Sequence, residues 1–491
     1  MKIRKLLALY VLIAAALTMC AACQPTPEKP AVQSKGDGTL EQRIAAASQE
    51  FVPDDITVKE EFASKTPKVT ICVDAKVDMP DEIKALPVVE GEKGEFSNEF
   101  LQAFLEAVGE GHEYYDPVTD KTKTQIQEEL KELESHMTEE HLNEYYNGDA
   151  DMIAYAKKEF EKQHEALVEV YKKSPDTITR KKSDMELKPS AYYVSSAERD
   201  IIIKEMKEHL GKDRADAFLN NSDSYHGIAY LDDGYMIGVS VKMYDNKTRH
   251  NYALNYICGK YLSDSDFMPT YKVEDTSCTI DDETAVRIAD EFVKRAGFTE
   301  FALSEYEKVM CGRAADIPLY RIVYRRTINS VVSNEVPEGY AENRPTYQDE
   351  HIEMQIADEG VINFIYTNPI AIGRTINEGV GVKDFDEVYE IYKEQAALTY
   401  DNVYGREESL ENENEIIDLR SERAVVSIDS IKLRYIRIAE KDKQLTYLYV
   451  PAYVFSGSET FTNGETMVNS RDVEMIVNAI DGSIISAEDC Y

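Results

Sequence analysis

Two cysteines three positions apart, Cys20 and Cys23, are the first residues whose type and spacing could do chemistry. Such a pair can hold a metal or exchange a disulfide, and a single cysteine can carry a lipid. The preceding residues decide between these uses, because a basic start is followed by a fourteen-residue, largely apolar run over 6–19. A run of this length matches a signal peptide and is shorter than the ~20 residues that cross a bilayer as a helix. We therefore expect a signal peptide over 1–22.

The residues in front of Cys23 resemble a bacterial lipobox. Ala21 and Ala22 supply the small side chains of that motif, and Cys20 stands where the family usually has Leu. Cys20 is preceded by Met19, which is too bulky for the position before a lipidated cysteine. The resemblance implies that Cys23 receives a diacylglyceryl group and becomes the new N-terminus. It predicts a protein anchored by lipid at the extracytoplasmic face of the cell membrane; ordinary secretion with free cysteines is the alternative.

A polar spacer follows the lipobox. Residues 24–39 are rich in Pro, Gly and polar side chains and cannot bury enough apolar surface to fold, so 23–39 is predicted to be a disordered tether. The stretch CQPTPEKPAVQSKGDGTLEQRI resembles the mature start of a family of large, uncharacterised Gram-positive lipoproteins that is known as a domain of unknown function. This resemblance implies a location and a mature start, and it supplies no catalytic residue and no cofactor.

Acidic residues dominate the composition. The chain has 92 Asp and Glu against 55 Lys and Arg, which gives a formal charge of −37, or −40 once residues 1–22 are removed. This charge repels nucleic acid and anionic headgroups, so we expect no nucleic-acid partner. It favours cations or basic partners, although excess acid also keeps an exported protein soluble. At ~150 residues per domain, the mature chain predicts two to four domains.

Five cysteines lie beyond the predicted anchor, and none belongs to a Cys-x-x-Cys pair: Cys72, Cys258, Cys278, Cys311 and Cys490. Zinc-ribbon and thioredoxin motifs are therefore absent from the chain beyond Cys23. Because five is an odd number, at least one thiol stays unpaired within the chain. One or two disulfides can form, and the sequence leaves their pairing open.

Three histidines are the remaining candidates for metal chemistry. His164 opens HEALV like the helix of a zinc protease, but Val168 stands where the second histidine ligand belongs. His136 and His141 lie five residues apart, which on one helix places them about 140° apart around its axis. We therefore predict no metal site, and expect His164 to pack partly buried beside an apolar stripe.

Other short motifs also fail as catalytic sites. The stretch SDSD (263–266) lacks the loop and the final Glu of a calcium site, and GVGV (379–382) is not a phosphate loop. No G-x-S-x-G nucleophile motif occurs. With 92 acidic residues, no particular carboxylate pair can be nominated as a hydrolytic site. No catalytic residue is predicted.

The first folded part, 40–194, is predicted to be a mixed domain. Alternation of apolar residues over 69–77 predicts a half-buried strand, and 98–109 has the pattern of a helix. Within 122–173, apolar residues recur at helical spacing on both sides of Gly148. This segment is predicted to form a helical hairpin.

The chain then repeats a helix followed by a hairpin, which predicts α+β units over 195–279, 280–380 and 381–491. The hairpins are expected at 228–241, 353–366 and 475–486, where acidic-Gly pairs separate apolar strands. The helices are expected after a Ser195–Glu198 capping box, after Asp281 and after Asp384. The Tyr-rich strand 447–455 contains Pro451, which predicts an edge or bulge position and a docking surface.

The last two units carry the sequences TIDDETAVRIADEF and VEMIVNAIDGSIIS. On these patterns, 280–488 resembles the small extracytoplasmic PepSY-type domain and, more broadly, the YycH/YycI-type proteins that restrain a Gram-positive sensor kinase. The chain departs from those regulators in having a lipid anchor instead of a transmembrane helix. The sequence favours a non-enzymatic binding or regulatory lipoprotein with an envelope protein or peptide as partner. The alternative is an envelope hydrolase that uses a carboxylate or metal-activated water.

Overall fold

The computed structural model describes residues 40–485 with internal gaps. The gaps are 53–54, 65–68, 81–82, 194, 197–198, 213–222, 232–233, 246–248, 260–269, 273–277, 279, 312–316, 335–345, 348, 406–409, 413–414, 418–422, 440–444 and 464–465. The signal peptide, Cys23 with its tether, Glu198 of the capping box and the SDSD stretch lie outside the described residues.

The described elements combine helices with long antiparallel strands. The helices are α1 (Leu40–Ile44), α2 (Asn98–Val108), α3 (Lys123–His136), α4 (Glu139–Tyr145), α5 (Ala150–Lys173), α6 (Arg199–Leu210), α7 (Asp282–Arg295) and α8 (Phe385–Gly405). The strands are β1 (Thr57–Ala63), β2 (Val69–Asp78), β3 (Val88–Lys93), β4 (Tyr114–Tyr115), β5 (Lys188–Pro189), β6 (Asp223–Tyr230), β7 (Met236–Asp245), β8 (Arg249–Gly259), β9 (Thr270–Lys272), β10 (Phe301–Cys311), β11 (Ile317–Ile328), β12 (Val331–Val332), β13 (Thr346–Tyr347), β14 (His351–Ala357), β15 (Gly360–Thr367), β16 (Ile370–Asn377), β17 (Leu410–Asn412), β18 (Glu415–Ile417), β19 (Arg423–Ala439), β20 (Thr446–Asn463), β21 (Thr466–Asn478) and β22 (Ile484–Ile485). The predicted α+β class is confirmed.

The chain folds as two units, and each unit draws on separate stretches of sequence. The first comprises the described residues of Met1–Gly91, Ile328–Gly339 and Ile372–Tyr491, and the second comprises those of Glu92–Thr327 and Tyr340–Ala371. This differs from the consecutive segments that the sequence predicted. The expected 40–194 domain is divided after residue 91, and the 195–279 and 280–380 segments share one sheet because β8 pairs with β15. Local periodicity predicts strands, whereas contacts between distant residues decide which edges pair.

The first unit is built on a sheet with the strand order β1-β2-β19-β20-β21-β22, and β3 pairs with β20 and β16. In β2, alternate side chains from Val69 to Val77 are buried, which confirms the predicted half-buried strand. β2 runs parallel to β19, with Val69 opposite Ala424. Residues near the start of the chain thus complete a sheet whose other long strands come from the last third of the sequence.

Helix α8 lies on this first sheet through bulky side chains. Val388 and Tyr392 are completely buried, and the Tyr392 ring stacks on Phe455 of β20 with 4.0 Å between ring centroids. The helix begins directly after Asp384, as predicted, and the turn at Asp481–Gly482 joins β21 to β22. The expected helix-plus-hairpin pattern of 381–491 is therefore present within the larger sheet.

The Tyr-rich strand is not an edge strand, so that prediction is wrong. β20 lies between β19 and β21, and the side chains of Tyr447, Tyr449 and Tyr453 are buried. Within a strand, the nitrogen and the carbonyl of one residue point to the same side. The carbonyl of Pro451 accepts a hydrogen bond from the Ala479 amide at 3.0 Å, so the proline nitrogen also points toward Ala479. The β20–β21 ladder ends there, which is why proline costs no ladder bond inside this sheet.

The second unit is built on a sheet with the main strand order β4-β6-β7-β8-β15-β14-β11-β10-β9. Helix α7 contributes small buried residues, Ala285 and Ala289, together with Phe292. Phe292 packs at 5.3 Å from Phe364 of β15, centroid to centroid. The predicted turn between Asp358 and Gly360 joins β14 to β15, and the expected 228–241 hairpin is formed by β6 and β7.

A helical arm, α3–α5 (123–173), extends the second unit, and it has three helices where two were predicted. Helix α3 begins with a Thr122–Gln125 capping box, and α5 begins at Asp149, whose carboxylate accepts the Asp151 and Met152 amides. The interior of the arm is small, because Ile126 and Val170 form a separate buried cluster. In the described part of the chain, no helix is long and apolar enough to cross a bilayer.

Candidate functional site

A cleft of about 290 Å³ opens in the first unit at the start of α8. One wall comes from residues 49–52 and the other from residues 380–385, and the floor comes from the sheet. The lining residues are Gln49, Glu50, Phe51, Val52, Ile56, Met79, Val380, Gly381, Val382, Lys383, Asp384, Phe385 and Tyr453. Apolar side chains outnumber polar ones in this lining, but polar atoms, with charged groups from both walls, make up most of the surface that the cleft exposes.

The floor of the cleft is aromatic. Tyr453 of β20 and Phe385 of α8 meet edge to face, with ring centroids 5.3 Å apart. The Tyr453 hydroxyl lies 4.0 Å from the Met79 sulfur, which also lines the cleft. At the rim, 69% of Val52 is exposed to solvent. An apolar group that entered the cleft would meet rings below it and aliphatic side chains beside it.

Backbone hydrogen bonds hold both walls in place. The Gln49 amide donates to the Gly379 carbonyl at 2.7 Å, and the Phe51 amide donates to the Lys84 carbonyl at 2.8 Å. On the opposite wall, the Lys383 amide donates to the Ala479 carbonyl at 2.8 Å. Extended segments that are paired in this way form a preorganised surface, so a ligand would find the cleft already shaped.

Asn377 is the residue that ties the two walls together. Its buried amide nitrogen donates to the carbonyls of Ile44 at 2.7 Å and Ala46 at 3.0 Å. Its amide oxygen accepts from the Gly379 amide at 2.8 Å and from the Ser48 hydroxyl at 3.0 Å. Four bonds to one buried side chain fix the segments before and after the cleft against each other.

Two glycines of the second wall have different neighbours. A Cβ on Gly379 would lie 2.8 Å from the Gln49 carbonyl oxygen, so the backbone approach there requires glycine. A Cβ on Gly381 would meet the side-chain amide of Gln49 at 2.7 Å, which is the end of a flexible side chain. Gly381 therefore leaves room in the cleft without being required by the fold.

Charged groups surround the start of α8. Lys383 forms an ion pair with Glu387, and the backbone carbonyl of Asp384 accepts the Glu387 amide at 3.0 Å. Glu50 is exposed on the facing wall. Among the described residues, no three His, Cys, Asp or Glu side chains come together in a group that could hold a metal ion. The cleft therefore offers a small apolar contact surrounded by polar and charged groups.

The corresponding end of α7 in the second unit is closed by polar contacts. Tyr320, beneath the helix start, donates to Asp282 Oδ1 at 2.8 Å, and Lys308 pairs with the same carboxylate at 2.9 Å. Burial raises the pKa of Tyr320 to about 12, with a further contribution from its bond to Asp282. The side-chain bond to Thr284 lowers the pKa of Asp281, the N-cap of α7.

The structure corrects the argument about His136 and His141. Helix α3 ends at His136 and α4 begins at Glu139, so the two histidines do not lie on one helix. Their rings stack with centroids 4.9 Å apart, where a single helix would have separated them. His164 is partly buried as predicted, and its Nε2 faces Glu134 Oε1 at 3.2 Å.

The cysteines within the described residues form no disulfide. Cys72, Cys258 and Cys278 are free thiols. Burial raises the pKa of the half-buried Cys258 thiol. The side chain of Cys311 and all of Cys490 lie outside the described residues, as does the predicted lipid site, Cys23. The sequence left the disulfide pairing of the five cysteines open, and the structure excludes disulfides among these three.

Sequence reasoning missed the cleft. Residues 49–52 have no periodic pattern, and GVGV at 379–382 drew attention only as a possible phosphate loop. The sequence feature that could have indicated the cleft is GVGV followed by Asp384. It places a segment with two glycines directly before the predicted start of a helix. Its pairing with a segment some 330 residues earlier has no local signature.

No protein-family model matches the chain, and the search of curated proteins found no match. Two solved structures show distant likeness. An uncharacterised protein from Eubacterium rectale is 10% identical, with a TM-score of 0.41, over 90% of this chain and 96% of that one. The Bacillus megaterium YpeB C-terminal domain is 14% identical, with a TM-score of 0.22, over 58% of this chain and 94% of that one. At these TM-scores neither likeness carries an argument about function.

Proposed function

We propose that this protein is a lipid-anchored, extracytoplasmic binding protein of the bacterial envelope, and that it is not an enzyme. Its cleft takes an apolar side chain from a peptide or protein segment. The observation that carries the proposal is the cleft itself, about 290 Å³ in volume, with an aromatic floor and walls held by backbone hydrogen bonds. The proposal includes a regulatory form of the same binding role, which rests on the resemblance of 280–488 to PepSY-type and YycH/YycI-type domains.

The chemistry of the cleft favours binding. Small-molecule and peptide sites are concave and mostly apolar, with a few polar groups that fix orientation. Here the largely buried rings of Phe51, Phe385 and Tyr453 supply a small apolar contact, while Lys383 and Glu50 supply charges of both signs. A single side chain fits this volume, and the flanking main chain of a bound peptide would lie along the extended walls.

The location rests on the first 39 residues. A signal peptide over 1–22, the small residues before Cys23 and a spacer with little apolar surface together favour a lipid anchor. Mass spectrometry of the N-terminal peptide tests this directly. We expect a diacylglyceryl group on Cys23, lost from the Cys23→Ser variant and retained in Cys20→Ser. An unmodified Cys23, or lipid on Cys20, would contradict the anchor.

Photo-crosslinking in intact cells tests the binding role. A benzoylphenylalanine at Val52, on the cleft rim, should crosslink one discrete envelope protein or peptide. The same group at Val118, which is 50% exposed in the second unit, is the matched control. We expect a product from position 52 that disappears in the Gly381→Leu background, because leucine fills the cleft. Equal products from both positions, or an unchanged product with Gly381→Leu, would overturn the proposal.

A further inference from the structure

The turn of the helical arm exposes an unusual amount of apolar surface. Tyr145 is 71% exposed, Tyr155 is 64% exposed and Met152 is 47% exposed. These three residues lie within eleven positions, on α4 and the first turns of α5, at the opposite end of the arm from Lys123 and Lys173. We call residues 136–155 the arm tip. Exposed apolar patches of this kind mark interaction surfaces.

The rings of the arm tip are arranged as a continuous row. The His136 and His141 rings stack at 4.9 Å, His141 stacks with Tyr145 at 6.2 Å, and Tyr145 meets Tyr146 edge to face at 4.9 Å, centroid to centroid. Because α3 ends at His136 and α4 starts at Glu139, the chain bend itself brings these rings together. The row gives the tip a preordered aromatic surface.

The charge around this row is mostly negative. Between residues 132 and 156 there are seven Asp and Glu residues and no Lys or Arg. Glu134 faces His164 at 3.2 Å, and Glu139 pairs with Lys157 at 3.3 Å. Glu140, Glu144 and Asp151, which belong to the same stretch of chain, are exposed. Aromatic faces flanked by carboxylates attract guanidinium and ammonium groups through cation–π and ionic contacts.

We propose that the arm tip is a docking surface for a basic segment of a partner protein, rich in Arg or Lys, separate from the cleft of the first unit. Tyr145 and Tyr155 provide faces for the cationic side chains, and Glu140, Glu144 and Asp151 neutralise their charge. The negative charge of the chain argues against two other partners for the arm tip, which are an anionic membrane surface and a second copy of this chain. Anionic lipid headgroups would be repelled, and a second copy of this chain carries a net charge of −37 of its own.

The absence of tryptophan from the sequence gives a direct test. Tyr145→Trp places a single indole fluorophore in the arm tip and keeps an aromatic face there. Tyr306→Trp, at a residue 46% exposed on β10, is the matched control, and Tyr155→Trp is a second reporter in the tip. The full-length proteins are titrated with a short Arg/Gly peptide and with its citrulline analogue, which has the same shape and no charge.

We expect a saturable change of indole emission in the Tyr145→Trp protein with the Arg peptide and no change with the citrulline peptide. The Tyr306→Trp protein should respond to neither peptide. Replacing Glu140, Glu144 and Asp151 by their amides should weaken binding at least about tenfold. The same number of changes at exposed positions outside the arm should leave binding unchanged, and these controls are Glu283, Glu359 and Asp429.

Four results would each overturn the proposal. The first is an equal response of the tip reporter and the control reporter, and the second is binding that survives neutralisation of the tip carboxylates. The third is a response to phosphatidylglycerol vesicles instead of the peptide, which would make the tip a membrane contact. The fourth is self-association without peptide, which would make it an interface between copies of this chain.

Discussion

Helices α7 and α8 lie on different sheets in the same way, yet their N-terminal ends differ. Each follows an aspartate, Asp281 or Asp384, and each has a buried tyrosine of the sheet near its start. At α7, Tyr320 is bonded to Asp282, which closes that end. At α8, Tyr453 forms part of the floor of the cleft.

The residues that face the sheets also differ. Helix α7 buries two alanines, Ala285 and Ala289, beside Phe292. Helix α8 buries Tyr392, whose ring stacks on Phe455 of β20. One architecture therefore has a closed end in one unit, where polar groups meet, and an open end in the other, where the helix start borders a cleft. The open end is where a ligand can enter.

The largest loss of stability should come from removing the ring stack beneath α8. Phe455 is fully buried and stacks on Tyr392, so Phe455→Ala should lower the free energy of unfolding by about 3–5 kcal/mol. Denaturant unfolding with hydrogen exchange will show whether the loss is confined to the first unit. Phe364→Ala, in the core of the second unit, is the matched control with a loss of similar size there. A loss of less than about 1 kcal/mol for Phe455→Ala would show that this stack does not hold α8 on its sheet.

A smaller loss of stability should follow from removing the hydrogen bond between Tyr320 and Asp282 at the start of α7. Tyr320→Phe removes the hydroxyl that donates to Asp282 and should cost about 1 kcal/mol. Because burial raises the pKa of Tyr320 to about 12, its contribution is complete below about pH 10 and is lost as pH rises toward 12. Unfolding curves should therefore differ between the wild type and the variant at pH 8 and converge near pH 12. A difference independent of pH would contradict this assignment.

A local effect is expected at the cap of α7. Asp281 accepts the Thr284 amide at 2.8 Å, so Asp281→Ala should speed hydrogen exchange at Thr284 while Asp281→Asn largely preserves protection. The pKa of Asp281 is lowered by its bonds to the Thr284 side chain and to the Thr284 amide, so their contribution is present above about pH 4 and fades as pH falls further. Unchanged exchange at Thr284 in the alanine variant would show that the cap does not hold the helix start.

The smallest effect on stability should come from filling the open end. Gly381→Leu displaces only the flexible side chain of Gln49, so the free energy of unfolding should change by less than about 0.5 kcal/mol. The matched variant Gly379→Ala should be clearly destabilised, because its Cβ would lie against the Gln49 carbonyl oxygen. Denaturant unfolding of the two variants compares them directly. Equal losses would mean that Gly381 is also required by the fold.

The sequence predicted most elements and little of their assembly. Alternation in 69–77 and the Asp281 and Asp384 caps located β2, α7 and α8, because these signals lie within one element. Pro451 misled the prediction, since the rule for proline in strands concerns a missing hydrogen bond and not an edge as such. The cleft was missed because it depends on Asn377 joining segments that are far apart in the chain.

The most direct test of the open cleft is a methyl NMR titration of the full chain with N-acetyl-phenylalaninamide, a blocked amino acid with one apolar side chain. We predict saturable shifts at the methyl groups of Val52, Ile56, Val380 and Val382, which line the cleft. Ile280 and Val286, near the start of α7, should not shift, and Gly381→Leu should abolish the response. Shifts at both helix ends, at neither end, or in the Gly381→Leu protein would contradict a binding site at the start of α8.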